Sequence, residues 1–335
     1  MIPEAEMKKT VLIASLLLTA ASLFARGADE PVGGSTAAGE PVVLKFITPA
    51  GFPAISLADM IADTPVFAGN VSVEYEVVNS PDLIAGKILT GEADMILAPT
   101  NLGAALYNKG EDIVLAGSAV WGLLYVVTTE DIGGWDDLRG REVAMFARGL
   151  TPDIVFRYLL GAAGLVPGED VALSYVQNTA ELGPMFISGR TTLALLPEPV
   201  LTIVRSKVPE ARVVLDLQKE WAAASGTSES YPQASLFVRK AVAEGHREFL
   251  DSFLAEYEAS IGRILADPEV AGVKASSFLD SPPAPVIAAS IPGGNLAWAS
   301  APEARPSVEE YLGVLLDYAP GTIGGALPDD GFYLE

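Results

Sequence analysis

The chain has 335 residues, half of them apolar and 19% charged, which predicts two domains and excludes disorder as the main state. Its 43 acidic and 21 basic residues give a net charge of −22, which argues against nucleic acid and anionic membrane surfaces as partners. Because the chain has no cysteine and only one histidine, His246, disulfides and thiolate sites are excluded, and multi-histidine metal sites and Ser-His-Asp triads are disfavoured.

The first 40 residues are predicted to lie outside the fold. Lys8 and Lys9 precede an apolar run over 11–25, which is shorter than the roughly 20 residues that span a bilayer. This pattern is typical of a secretory signal peptide over 1–25, cleaved after Ala25, and the alternative is a buried N-terminal helix. The stretch 26–40 is rich in Gly, Ala and Ser and predicts a flexible leader. We therefore expect a periplasmic protein without a lipid anchor.

A first series of alternating strands and helices follows the leader. Strands are predicted over 42–48, 71–78, 94–98 and 113–129, the last broken at Trp121 and Gly122. Helices are predicted over 54–62, from Ser80 to Leu89, and up to Asn108 with Thr100 or Asn101 as the cap.

A second series has the same alternation. Strands are predicted over 142–146, 171–176, 192–196, 211–215 and 234–238, and helices over 154–163, 180–188 and after Pro199. Beyond Val242 the chain is predicted to be mostly helical. This alternation indicates an α/β protein with parallel-type sheets covered by helices on both faces. We expect a first lobe over 41–128 and 232–335 and a second over 129–231, with crossovers near Thr128 and Tyr231 and a ligand cleft between the lobes.

Several segments, in the same order, resemble the nitrate/sulfonate/taurine-type solute-binding proteins of ABC importers. They are TPAGFPAISLA (48–58), GEADMILAPTNLGAALYNKG (91–110), DLRGREVAMFARGLTPDIVFRYLL (137–160) and LLPEPV (195–200). The final segments, NLAWASAPEAR (295–305) and TIGGALPDDGFYLE (322–335), resemble one subgroup of that family. The resemblance covers the chain from about Val42 to Glu335. It implies the type II periplasmic-binding-protein fold, in which two α/β lobes joined by a two-crossover hinge close over a small solute.

In the first lobe, two strand-to-helix junctions are candidate ligand contacts. Backbone N–H groups at the helix start near Gly51, Phe52 and Ala54 could bind an anion. Thr100 and Asn101 occupy a similar junction, where their side chains could cap the helix or bind a solute. The competing interpretation of both junctions is an ordinary turn with a helix cap.

In the second lobe, Arg148 and Thr151 lie at the corresponding junction, although most arginines are simply solvated. Glu198 follows a buried strand between two prolines, which fix the backbone and aim its carboxylate. That carboxylate could recognise a cation or an amine, or it could pair with a neighbouring arginine. Its presence argues against a simple oxyanion ligand such as nitrate or a sulfonate.

Residues close to the two crossovers complete the set of candidates. An aromatic side chain there could stack on a flat ligand or could fill the hinge core. These candidates are Trp121, Tyr125, Tyr231 and Gln233, together with Asn295 in an apolar loop.

These observations predict a monomeric periplasmic solute-binding protein of an ABC importer, with no catalytic activity, metal or cofactor. It would bind a small organic solute by hinge closure and deliver it to the membrane permease. One alternative is an enzyme on the same fold, of the thiamine-pyrimidine or menaquinone-pathway type. The missing cysteines and histidines oppose the thiamine-pyrimidine type, and the signal segment opposes both. Another is a sensory solute receptor. The identity and charge of the solute stay open.

Overall fold

The alternating pattern folds into two β-sheets with helices packed around them. A computed structural model of the protein describes residues 42–78, 81–226 and 230–335. The predicted signal peptide (1–25) and leader (26–40) lie outside the described residues. Among the described residues, no helix is both long and apolar enough to cross a membrane.

The strands and helices agree with most of the predicted segments. The strands are β1 (Val42–Pro49), β2 (Val71–Val78), β3 (Met95–Pro99), β4 (Ile113–Trp121), β5 (Leu124–Thr128), β6 (Glu142–Met145), β7 (Ala172–Tyr175), β8 (Leu193–Pro197), β9 (Arg212–Asp216), β10 (Pro232–Arg239) and β11 (Leu296–Ser300). The helices are α1 (Phe52–Ile55), α2 (Ala58–Asp63), α3 (Pro81–Leu89), α4 (Thr100–Asn108), α5 (Thr151–Ala162), α6 (Thr179–Ile187), α7 (Val200–Lys207), α8 (Leu217–Ser225), α9 (Lys240–Gly245), α10 (Arg247–Ala266), α11 (Pro268–Ala275), α12 (Ala284–Ser290) and α13 (Ala301–Tyr318).

The first sheet has six strands in the order β11-β4-β10-β3-β1-β2. Strand β1 runs parallel to β2 and β3, whereas β10 runs antiparallel to β3 and β4. All nine residues of β4 are buried. A continuous apolar run of this kind is typical of a strand that is covered on both faces.

The second sheet has five strands in the order β7-β6-β8-β5-β9. Strand β6 is parallel to β7 and β8, but β5 is antiparallel to β8 and β9. The expected parallel-type sheets are therefore mixed. The antiparallel pairings of β5 and β10 arise because each of these strands enters its sheet directly from the other sheet.

The two crossovers lie side by side. Strand β5 belongs to the second sheet, so the first crossover lies between Trp121 and Leu124, before the expected position near Thr128. The second crossover includes Tyr231, whose carbonyl accepts a 3.0 Å hydrogen bond from the Gly122 N–H. We propose a first lobe over 42–121 and 232–335, built on the six-stranded sheet, and a second lobe over 124–231, built on the five-stranded sheet.

Helix α13 is a further contact between the proposed lobes. It begins with a capping box in which Ser300 and Glu303 hydrogen-bond each other's side chain and backbone. It packs against β4 and β10 of the first lobe and also against α5 of the second. The Tyr311 hydroxyl lies 2.9 Å from the Thr151 hydroxyl, so a buried hydrogen bond joins α13 to the second lobe.

Candidate functional site

A cavity of about 270 Å³ lies between the two sheets. Loops that follow β1, β3, β6 and β8 border it, which is where open α/β sheets bind their ligands. Both lobes contribute to its wall. The residues that line it are Ala50, Gly51, Phe52, Pro53, Pro99, Leu123, Leu124, Phe146, Pro152, Thr179, Pro197, Glu198, Pro199, Val200, Gln233 and Ala234.

In the first lobe, the wall is formed by the junction between β1 and α1. Gly51 precedes α1 with φ +97°, a conformation that glycine adopts without steric cost. The buried ring of Phe52 fills the space next to Gly294, where a Cβ atom would lie 1.7 Å from the ring. The position of this ring therefore depends on a glycine at position 294.

In the second lobe, Glu198 supplies a buried carboxylate that is only 8% exposed. Its oxygens accept hydrogen bonds from the Thr202 N–H (3.1 Å) and the Thr202 hydroxyl (3.0 Å). Burial raises the pKa of Glu198, although the bonds from Thr202 and the charge of Arg205 oppose this effect. A Cβ atom at Gly293, in the first lobe, would lie 2.9 Å from Oε1. The two lobes therefore approach each other closely at this carboxylate.

Tyr125 and Asn295 do not line the cavity. They form hydrogen bonds at the turn that contains Gly293. The Tyr125 hydroxyl donates a 2.7 Å hydrogen bond to the Gly293 carbonyl. Burial raises the pKa of Tyr125 to about 12, so it keeps this proton at neutral pH. The Asn295 amide donates to the Gly122 carbonyl (2.6 Å) and to the Tyr125 hydroxyl (3.4 Å). These hydrogen bonds connect the turn at Gly293 with β5 and the first crossover.

Gln233 brings a second acceptor to the cavity from β10. Gln233 lines the cavity, and its Oε1 atom is buried and has no hydrogen-bond partner among the described atoms. An unsatisfied buried acceptor is costly, and native proteins contain few of them. Gln233 is therefore a polar group that a ligand could satisfy.

Thr100 and Asn101 lie near the cavity but do not line it. The Thr100 hydroxyl is fully buried and lies 2.8 Å from that of Ser235, which in turn lies 2.8 Å from that of Ser118. The Asn101 amide donates to the Thr322 carbonyl (3.4 Å). Neither residue caps α4, because the chain becomes helical at Thr100 itself. The predicted cap is wrong, and the hydroxyl of Thr100 serves the packing of β3, β4 and β10.

This hydroxyl chain leads to a stability prediction. Thr100→Ala should lower the free energy of unfolding by about 1–3 kcal/mol, because it removes a buried hydrogen bond and leaves Ser235 less well satisfied. Urea denaturation measures the change, with Ser72→Ala on the exposed face of β2 as the matched control. Solute affinity should stay within about two-fold. A stable Thr100→Ala protein that has lost its solute would instead place this hydroxyl in the site.

Four further candidates are not among the described residues that line the cavity. Ala54 and Tyr231 are fully buried, with Tyr231 stacked on Tyr311 at a centroid distance of 5.8 Å. Thr151 uses its hydroxyl in the bond to Tyr311. Arg148 is exposed, and its guanidinium lies 5.2 Å from the centre of the Tyr175 ring. None of the four lines the cavity, so the ligand contacts expected of them, the backbone N–H of Ala54 included, stay predictions.

Trp121 lies at a different cavity, of about 390 Å³, near the crossovers. Its indole N–H donates to the Ala297 carbonyl (2.9 Å), and Asn295 and Trp298 border the same space. A larger groove of about 680 Å³ lies between α11 and α12, within the first lobe. We take the cavity at Glu198 as the candidate site because it lies where β1 and β3 of the first sheet and β6 and β8 of the second sheet end.

Sequence reasoning missed several residues that line the cavity. Phe146 and Pro152 flank the junction between β6 and α5, Thr179 begins α6, and Val200 begins α7. The signal that could have found them is the one that identified Gly51 and Glu198, namely a position directly after a strand or at a helix start.

The described residues that line the candidate site include a single acidic residue and no basic one. Of the described residues that line the cavity, Glu198 alone carries a charge, and none is lysine, arginine or histidine. No group of three or more His, Cys, Asp or Glu side chains in the described part of the chain is arranged to hold a metal ion.

No known protein-family profile matches the sequence, and neither does any curated protein. Solved structures do match. The crystal structure of an ABC transporter from Parabacteroides distasonis is 28% identical, covers 88% of this chain and 99% of its own, and has a TM-score of 0.74. The periplasmic aliphatic sulphonate binding protein SsuA from Escherichia coli is 16% identical, with coverages of 83% and 87% and a TM-score of 0.65.

The periplasmic nitrate-binding protein NrtA from Synechocystis is also similar, at 14% identity, coverages of 84% and 82%, and a TM-score of 0.61. These likenesses confirm the fold that the sequence resemblance implied. The chain has the two-lobed α/β fold of the solute-binding proteins of ABC transporters.

Proposed function

We propose that this chain is the solute-binding component of an ABC importer and binds one small organic solute between its lobes. The observation that carries the proposal is the cavity at Glu198, which is lined by both lobes. Its volume of about 270 Å³ is just below the usual range for small-molecule pockets, so it suits a small solute. The proposed location is the periplasm, the proposed partner is a membrane permease, and the proposed state is a monomer without catalytic activity.

Hinge closure explains how binding would be signalled. A solute that contacts Phe52 and Glu198 together gains both contacts only in the closed form, since the two residues belong to different lobes. The solute therefore shifts the population towards the closed form. The bonds from Tyr125 and Asn295 stabilise that form, and the permease would recognise the surface that closure creates.

Mass spectrometry of protein purified from its native source tests this proposal. We expect one small molecule per chain, released on denaturation and bound again after refolding. Val200→Trp, which fills the cavity, should abolish rebinding, whereas Val66→Trp, at a 98% exposed position, should not. Equal rebinding by both variants would contradict the site. Loss of solute uptake on deletion of the gene would separate transport from sensing.

A further inference from the structure

We propose that the solute is a small organic molecule with an apolar body and an N–H-bearing nitrogen, cationic or neutral, that donates to Glu198 and Gln233. This inference rests on the proposed function and names the ligand class of the same site. It sets the chain apart from the sulphonate-binding and nitrate-binding proteins that share its fold.

The charges around the cavity disfavour an anion. A buried anion needs cationic or N–H partners to replace its lost hydration. The described lining residues include no cationic side chain, and Glu198 places a negative charge in the wall. The N–H groups at the starts of α1, α5, α6 and α7, which border the cavity, would have to offset the repulsion from this carboxylate. A donor nitrogen meets no such repulsion.

Two side chains of the wall offer hydrogen-bond acceptors, the carboxylate of Glu198 and the amide oxygen of Gln233. An ionised carboxylate has about four lone-pair sites, and Thr202 occupies two of those on Glu198. The buried Oε1 atom of Gln233 has no partner among the described atoms. A solute with two or more N–H bonds could satisfy both residues at once. A positive charge on that nitrogen would also favour the ionised form of Glu198.

The rest of the wall is apolar. Phe52 and Phe146 contribute rings, and the prolines of the lining carry no N–H donor. Such a surface suits a flat or aliphatic body, and an aromatic face also attracts a cation. An amine, an amidine or an amino-substituted ring therefore matches the wall better than a small hydrated oxyanion.

Three probes of almost equal shape test the inference: benzamidine, benzamide and benzoate. We expect calorimetry on solute-stripped protein to rank their affinities in that order. Glu198→Gln should weaken benzamidine at least ten-fold and should not weaken benzoate. Gln233→Leu should weaken benzamidine several-fold, and it provides the test if Glu198→Gln does not fold. Glu210→Gln, on the exposed surface, is the matched control.

The solute released from the native protein gives the second readout. A molecule with an N–H-bearing nitrogen, retained at least ten-fold less well by Glu198→Gln, supports the inference. A released solute without N–H groups, or tighter binding of benzoate than of benzamidine, overturns it and leaves the proposed function intact. If the native protein holds no solute and binds no probe, the proposed function fails as well.

Discussion

Trp221→Ala is expected to lower the free energy of unfolding by about 3–5 kcal/mol, as large-to-small changes of buried aromatic residues do. Trp221 is 1% exposed. Its ring packs against those of Tyr158 (4.9 Å between centroids), Tyr231 (5.2 Å) and Tyr311 (6.0 Å). These rings come from α5, the second crossover and α13. Removing the indole therefore opens a void where the proposed lobes and their connection meet.

Urea denaturation followed by circular dichroism measures this loss. Tyr318→Ala is the matched control, because Tyr318 is 49% exposed and contacts only the edge of the same cluster, at Tyr158. We expect Tyr318→Ala to lower the free energy of unfolding by less than about 1.5 kcal/mol. A Trp221→Ala protein as stable as this control would show that the cluster is not part of the core that joins the lobes.

Gly293→Ala is expected to weaken solute binding about 5- to 150-fold while leaving the stability of the solute-free protein nearly unchanged. The new Cβ would lie 2.9 Å from Glu198 Oε1 and 3.2 Å from its Cγ, which is too close for the closed form. Overpacking of this kind costs about 1–3 kcal/mol. The cost arises only on closure, because Gly293 and Glu198 belong to different lobes, so it reduces the affinity.

Gly134→Ala is the matched control for this change, since Gly134 lies in a loop and no atom lies within 4 Å of its added Cβ. The fraction of each variant that rebinds its solute, measured by mass spectrometry, gives the affinity. A large loss of stability in solute-free Gly293→Ala would mean that the contact with Glu198 persists without solute. Unchanged binding would mean that closure does not bring these two residues together.

The sequence predicted the individual strands well because their patterns are local. Strand β2 alternates apolar and polar residues, and its burial alternates in the same way. The break at Trp121 and Gly122 separates β4 from β5 and marks the first crossover. The first crossover was predicted near Thr128, too late in the chain. Which sheet a strand joins depends on its pairing partners, and β5 pairs with β8 and β9 of the second sheet.

Two elements were missed for identifiable reasons. Helix α8 follows β9 without an intervening turn. The sequence marks the start of this helix only by Asp216, the N-cap residue, whose side chain accepts a hydrogen bond from the Lys219 N–H. Strand β11 is short and partly exposed. It is a strand because it pairs with β4, far away in the sequence. Local patterns carry little information about such pairing.

Position in the sequence predicted several residues that border the candidate cavity but not the direction of their side chains. A position just after a strand, or close to a crossover, correctly indicated that Gly51, Glu198 and Gln233 border the cavity. The same rule predicted Thr100 as a ligand contact, but its hydroxyl hydrogen-bonds with that of Ser235. The importance of Gly293 was not predictable, since it follows from close approach to a residue of the other lobe.

Small-angle X-ray scattering of the solute-stripped protein, before and after addition of saturating solute, measures whether the two lobes close around a solute. We expect a smaller radius of gyration with solute in the wild type and in Gly134→Ala. We expect little or no compaction at the same solute concentration in Gly293→Ala. A radius that stays unchanged in the wild type at saturation would contradict closure of the two lobes around a bound solute.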